Sequence, residues 1–139
     1  MDRLPADAWR HVRLVLLRYP ESKVLYDQII EESQTRTSDN AGSGSKPVHS
    51  DPTATAAIKL YNDARFQRIN REVTAVETAV MGLDSIEKEV IRRRFWNHRP
   101  GVRKVCSYSR MRNIGYSRRQ MQRIVRRVTE AVAILLGEI

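Results

Sequence analysis

Apolar positions recur along this chain at three- and four-residue spacing, and no stretch sustains the alternation of a strand. The pattern therefore predicts an all-α fold. The first stripe is Trp9, Val12, Leu16 and Tyr19, in a segment over 4–18 that opens on Pro5, which suits the first turn of a helix. Pro20 is expected to break that helix. Val24, Leu25, Gln28, Ile29 and Glu32 then resume the period as a second short helix, with Leu25 and Ile29 on its buried side. Residues 1–32 read as an N-terminal helical hairpin too small to hold a core alone.

Residues 33–55 lose the period and turn to Ser, Thr, Asp, Gly and Pro, the composition of a flexible linker. Gly42-Ser43-Gly44-Ser45-Lys46 within it lacks the spacing of a phosphate-binding loop, and no apolar strand precedes it. A long helix follows over 56–82, with Ile58, Tyr61, Ala64, Ile69, Val73, Val76 and Val80 on one stripe and Gly82 ending it. Asp84 with Glu87 three residues on forms a capping box for the next helix. That helix turns Ile86, Val90, Ile91 and Phe95 inward and Arg92, Arg93 and Arg94 partly outward. A loop over 97–101 leads to a weaker helix over 102–112, and Gly115 makes a turn. Ser117 caps a final helix over 117–136 whose buried stripe is Met121, Ile124, Val125, Val128, Val132 and Leu135. Residues 83–139 read as a helix-turn-helix.

Charge sharpens this picture. The 139-residue chain carries a formal +9 and a pI of about 10.3, in the range of nucleic-acid-binding domains. Residues 86–130 hold fourteen basic and three acidic side chains, a formal +11, which leaves −2 for the remainder. A basic module joined to a slightly acidic one suits an anion-binding surface with a separate partner-binding surface.

The polar face of the last helix is almost entirely arginine and glutamine. Residues in the first turns of a recognition helix reach base edges, and those farther along meet the backbone. Arg118, Arg119, Gln122 and Arg123 are therefore the expected base readers. Ser117, Arg126 and Arg127 are expected at the backbone, and so are Arg92 and Arg93 on a second basic patch. A solvated helix face is the plain alternative for each arginine taken singly. Trp96 beside Phe95 reads as core more readily than as a stacking platform.

Nothing points to an enzyme, a cofactor or a metal. His11, His49 and His98 have no ligand-type neighbours at metal spacing, and Glu31-Glu32 reads as a solvated helix end. Cys106, the only cysteine, rules out an intrachain disulfide and a zinc finger. It reads as a small core residue on a helix, with no histidine placed to activate it. The N-terminus has no secretory pattern, and the apolar runs are too short to span a bilayer. A cytoplasmic protein with no membrane partner is expected.

In the order of its segments the chain resembles the phage late transcriptional regulators of the RinA and ArpU type. The segments are Leu4-Pro5, Trp9 and Tyr19-Pro20, a polar middle and a long helix, then Glu87-Lys88-Glu89-Val90-Ile91 with Phe95-Trp96. Val102-Arg103-Lys104-Val105-Cys106 and Tyr116-Ser117-Arg118-Arg119-Gln120-Met121 follow, ending at Leu135-Leu136-Gly137-Glu138. The C-terminal part is also similar to the promoter-reading region of sigma factors. The span from Cys106 to Ser117 is longer than in the family, and Met111 stands where the family has a small residue. The resemblance therefore does not carry Tyr108, Arg110 and Arg112 over as contacts. It implies a promoter-binding activator of late packaging and morphogenesis genes in a bacterial host cell. The implied partners are double-stranded DNA and host RNA polymerase. The apolar surface of the N-terminal part also leads us to expect a homodimer. A small terminase subunit marking viral DNA for packaging and a sigma-like polymerase subunit are the alternatives.

Overall fold

The computed structural model describes residues 4–42, 63–97, 104–111 and 113–138. Among them the fold is all-α, with no strand. The elements are α1 (Ala6–Gly42), α2 (Ala64–Met81), α3 (Ser85–Ile91) continued by a π-turn (Arg92–Trp96), a 3₁₀ turn (Tyr108–Arg110) and α4 (Arg118–Leu135). The chain divides into two compact units, Met1–Pro20 with Thr74–Ile139, and Glu21–Val73.

The expected N-terminal hairpin is not formed. Pro20 lies inside α1, which runs on through Ser33–Gly42, the first part of the expected linker. Residues 43–55 of that linker lie outside the described residues, as does the 56–62 portion expected in the long helix. Proline has no N–H to give the carbonyl four residues back, and its ring pushes that carbonyl outward. The carbonyl is that of Leu16, whose residue is fully buried, and the indole Nε1–H of Trp96 donates to it at 2.7 Å. The hydrogen bond that proline cannot supply comes instead from 80 residues away. The Trp96 ring also lies 5.0 Å from that of Tyr19, whose hydroxyl donates to Glu77 at 2.8 Å. Without a hairpin no second arm covers Leu25. It stays 37% exposed beside an exposed Val24, while Ile29 is half-buried.

One core fills the larger unit. Val12, Val15 and Leu16 of α1, Val76 of α2, Val90 and Ile91 of α3 and Val128 and Val132 of α4 are essentially inaccessible, and Phe95 of the π-turn joins them. These are the positions at which four amphipathic stripes face inward, so burial of apolar area supplies the drive for their packing. In the smaller unit Phe66, Ile69 and Val73 are buried, and the rings of Tyr26 and Phe66 stack at 5.6 Å.

Helix ends follow the local chemistry. Asp63 accepts from the amides of Arg65 and Phe66, so α2 opens at Ala64 rather than at residue 56. The Asp84–Glu87 capping box forms with both of its hydrogen bonds, 2.8 and 3.2 Å. Ile86, in the first turn beside this cap, is 44% exposed rather than buried. The expected helix over 102–112 is absent from the described residues. Residues 104–107 are without helix and only Tyr108–Arg110 turns, as 3₁₀. Val105, Ser107 and Ser109 are poor helix interior residues, and the two serine hydroxyls bond each other at 3.0 Å.

The Pro20 arrangement makes a prediction. Trp96→Phe keeps an aromatic ring beside Tyr19 but strands the Leu16 carbonyl, and should cost about 1–3 kcal/mol in urea unfolding. Pro20→Ala restores a backbone donor to that carbonyl. It should therefore stabilise the Trp96→Phe chain more than the wild type, by about 1 kcal/mol in a double-mutant cycle. Strict additivity would show that the indole bond does not compensate for the proline.

Candidate nucleic-acid interface

The approach to α4 is set by backbone conformation. Asn113 and Gly115 adopt φ of 65° and 88°, the left-handed region in which glycine carries no penalty and asparagine a small one. Ser117 then caps the helix, its hydroxyl accepting from the Gln120 amide at 3.2 Å while its own amide donates to the Gln120 side chain at 2.8 Å. At the far end Gly137, φ 76°, completes a Schellman motif. Its N–H donates to Ile134 at 3.1 Å and that of Glu138 to Ala133 at 2.8 Å. The buried stripe is Met121, Ile124, Val125, Val128 and Val132, as expected. It ends on Leu136 rather than Leu135, because the helical step of four from Val132 falls there; Leu135 is 46% exposed.

The opposite face carries the polar residues, and they divide into two groups. Arg118, Arg119, Gln122 and Arg123 are all exposed, and among the described residues no hydrogen bond or ion pair engages them. They occupy the first two turns and repeat at i, i+1, i+4 and i+5, which puts them side by side. The other group is committed inside the chain. Arg126 pairs with Glu130 at 3.0 Å, and Arg127 pairs with Glu87, the residue that closes the α3 capping box. Arg92 grips Glu89 through two nitrogens, at 2.8 and 2.5 Å, and Arg93 reaches the same carboxylate at 2.8 Å. Ser117 is spent on the cap, its hydroxyl accepting from the Gln120 amide.

These pairs are on the surface and therefore exchangeable. The side chains of Arg126, Arg127 and Arg92 are 61%, 62% and 51% exposed, and such ion pairs contribute little against solvent screening. Hydrogen bonds from Arg92 and then Arg93 hold the Glu89 carboxyl down at about 2, from an ordinary 4.5.

Arg94, expected to point partly outward, turns inward. Its Nη1 donates to the Cys106 carbonyl at 2.5 Å, its guanidinium lies 4.1 Å from the centre of the Tyr108 ring, and its carbonyl accepts from the Cys106 amide at 2.9 Å. This clasp fixes the 3₁₀ segment to the end of the π-turn. Burial lowers the pKa of Arg94 from its ordinary value and raises that of Tyr108. Cys106 therefore sits on a stretch without helix rather than on a helix face.

No family model, curated protein or solved structure matches this chain. Of the three histidines His11 alone lies within the described residues, where Nδ1 is 2.5 Å from Glu138. Among the described residues no helix is long and apolar enough to cross a membrane, and no group of three His, Cys, Asp or Glu side chains could hold a metal.

The Glu89 cluster predicts a pH signature. A carboxylate whose pKa falls on folding stabilises the fold above its ordinary value of 4.5, and that contribution is lost as pH falls through about 2. Carbon-detected NMR of the Glu89 carboxyl should give a midpoint near 2 that climbs towards 4.5 in Arg92→Ala, and further in the Arg92→Ala, Arg93→Ala double variant. A wild-type midpoint at the ordinary value would show that neither arginine holds it.

Proposed function

We propose that the chain is a transcription regulator that binds double-stranded DNA by laying the first two turns of α4 in the major groove. The observation that carries the reading is the row of Arg118, Arg119, Gln122 and Arg123. These four donors stand exposed and uncommitted on a helix whose other face is fixed in the core. An arginine fork matches the O6 and N7 of guanine, and a glutamine amide matches N6 and N7 of adenine. Arg126, Arg127, Arg92 and Arg93 flank them and exchange their carboxylate partners for backbone phosphates. The formal +11 of residues 86–130 supports the same assignment, since phosphate neutralisation dominates affinity for duplex DNA. The resemblance to RinA- and ArpU-type regulators narrows the role to activation of late genes of a phage or prophage.

Selection from a randomised duplex pool supplies the binding site, and titration of operator against scrambled duplex then separates the two groups of arginines. Arg119→Ala should weaken operator binding by about 1–3 kcal/mol and scrambled binding much less. Arg127→Ala should weaken both alike. An equal loss on both duplexes for Arg119→Ala would remove base reading from this helix. The stoichiometry of the same complex decides self-association. Two chains per site are expected, and one chain per site excludes the dimer.

A further inference from the structure

We propose that the smaller unit carries a self-association surface, through which a second copy of the chain covers Val24 and Leu25 of α1 in a two-fold dimer. The inference deepens the reading above by naming the surface that brings two chains to one DNA site.

The helical period gives this unit an inner and an outer face. On the inner side of α1 stand Ser22, which is buried, and Tyr26, whose ring stacks on that of buried Phe66 at 5.6 Å. Ile69 and Val73 continue the inner row along α2. The outer face of α1 carries Val24, Leu25, Gln28, Glu31 and Glu32, all exposed and spaced at three, four and seven residues. Val24 is 56% exposed and Leu25 37%, so a partner laid against them removes apolar area from water.

Charge decides what that partner is. The two helices present opposite signs, because the minority sign on each is consumed within the unit. Over 21–33 the one basic residue, Lys23, pairs with Asp27 at 3.6 Å and lies 5.1 Å from the centre of the Tyr26 ring. Glu31 and Glu32 are left exposed, and among the described residues no hydrogen bond or ion pair engages their carboxylates. Over 63–73 Asp63 is spent on the amides of Arg65 and Phe66, and Glu72 is buried. The guanidinium groups of Arg65 and Arg68 are exposed and equally unengaged among the described residues.

An acidic row on one helix and a basic row on the other make the unit self-complementary. A two-fold rotation sets Glu31 and Glu32 of one copy against Arg65 and Arg68 of the other, and repeats the contact across the axis. Such pairs are weak singly, but they fix the orientation in which the apolar residues meet. Duplex DNA does not suit the outer face of α1, since Glu31 and Glu32 repel phosphate.

The test is sedimentation of the full chain at micromolar concentration, without DNA. The unmodified chain should sediment at twice the 16.1 kDa of one copy, and the dimer should loosen as salt rises from low to moderate concentration. Glu31→Arg with Glu32→Arg makes both rows basic, and Arg65→Glu with Arg68→Glu makes both acidic. Each double variant should be monomeric alone. An equimolar mixture of the two should recover the dimer, because each supplies the sign that the other lacks. Leu25→Asp should also give monomers. A monomeric unmodified chain, a dimer indifferent to salt, or a mixture that stays monomeric while both variants keep their helical circular dichroism would overturn the inference. A dimer that survives either reversal or Leu25→Asp would overturn it too, since the interface then lies elsewhere. Base reading by α4 is scored separately, on operator against scrambled duplex, so failure here leaves the DNA-binding reading standing.

Discussion

One orphaned carbonyl organises the larger unit. Pro20 removes the donor that Leu16 would have used, and a buried carbonyl without a partner costs about 1–3 kcal/mol. Trp96 supplies the missing donor at 2.7 Å, so the proline becomes a docking point instead of a helix end. The consequences run forward along the chain. The π-turn that ends in Trp96 is pinned to α1, and Arg94 two residues earlier clasps the 3₁₀ segment through Cys106 and Tyr108. That segment leads to the left-handed turn at Asn113 and Gly115, and so to the cap of α4.

The arginines then differ by what they already hold. Where a glutamate lies within reach, as Glu89, Glu87 and Glu130 do, the guanidinium is oriented and its charge partly cancelled. In the first two turns of α4 no such partner engages the side chains among the described residues, so their full donor capacity faces solvent. A ligand that binds the second group gives up no internal bond, whereas one that binds the first must displace a weak surface pair. The caps at both ends of α4 fix the backbone that carries the uncommitted group.

Much of this was legible in short stretches of sequence. The Asp84–Glu87 capping box, the Ser117 cap, the turn at Gly115, the end of α2 near Gly82 and the inward positions of α4 through Val132 depend on neighbours within one or two helical turns. The features that misled depend on distant partners. Pro20 reads as a helix breaker because its remedy, the Trp96 indole, lies 80 residues beyond the Leu16 carbonyl that it serves. The pairing of Arg127 with Glu87 spans 40 residues, and nothing local distinguishes Arg127 from Arg119. The segment over 104–111 has helical apolar spacing. Arg94, half-buried in the π-turn, nevertheless draws the Cys106 backbone into hydrogen bonds that a continuing helix would have used internally. Leu135 was misplaced by one position, because spacings of three and four are equally good helical steps until the cap selects one.

The most direct measurement of the account is side-chain NMR of the arginine and glutamine groups during titration with duplex DNA. The guanidinium signals of Arg118, Arg119 and Arg123 and the amide of Gln122 should shift and slow their hydrogen exchange on the selected duplex. On scrambled duplex the changes should concentrate at Arg92, Arg93, Arg126 and Arg127. A response confined to α2, or one that spares the first two turns of α4 on every duplex, would contradict the claim that this helix face reads DNA.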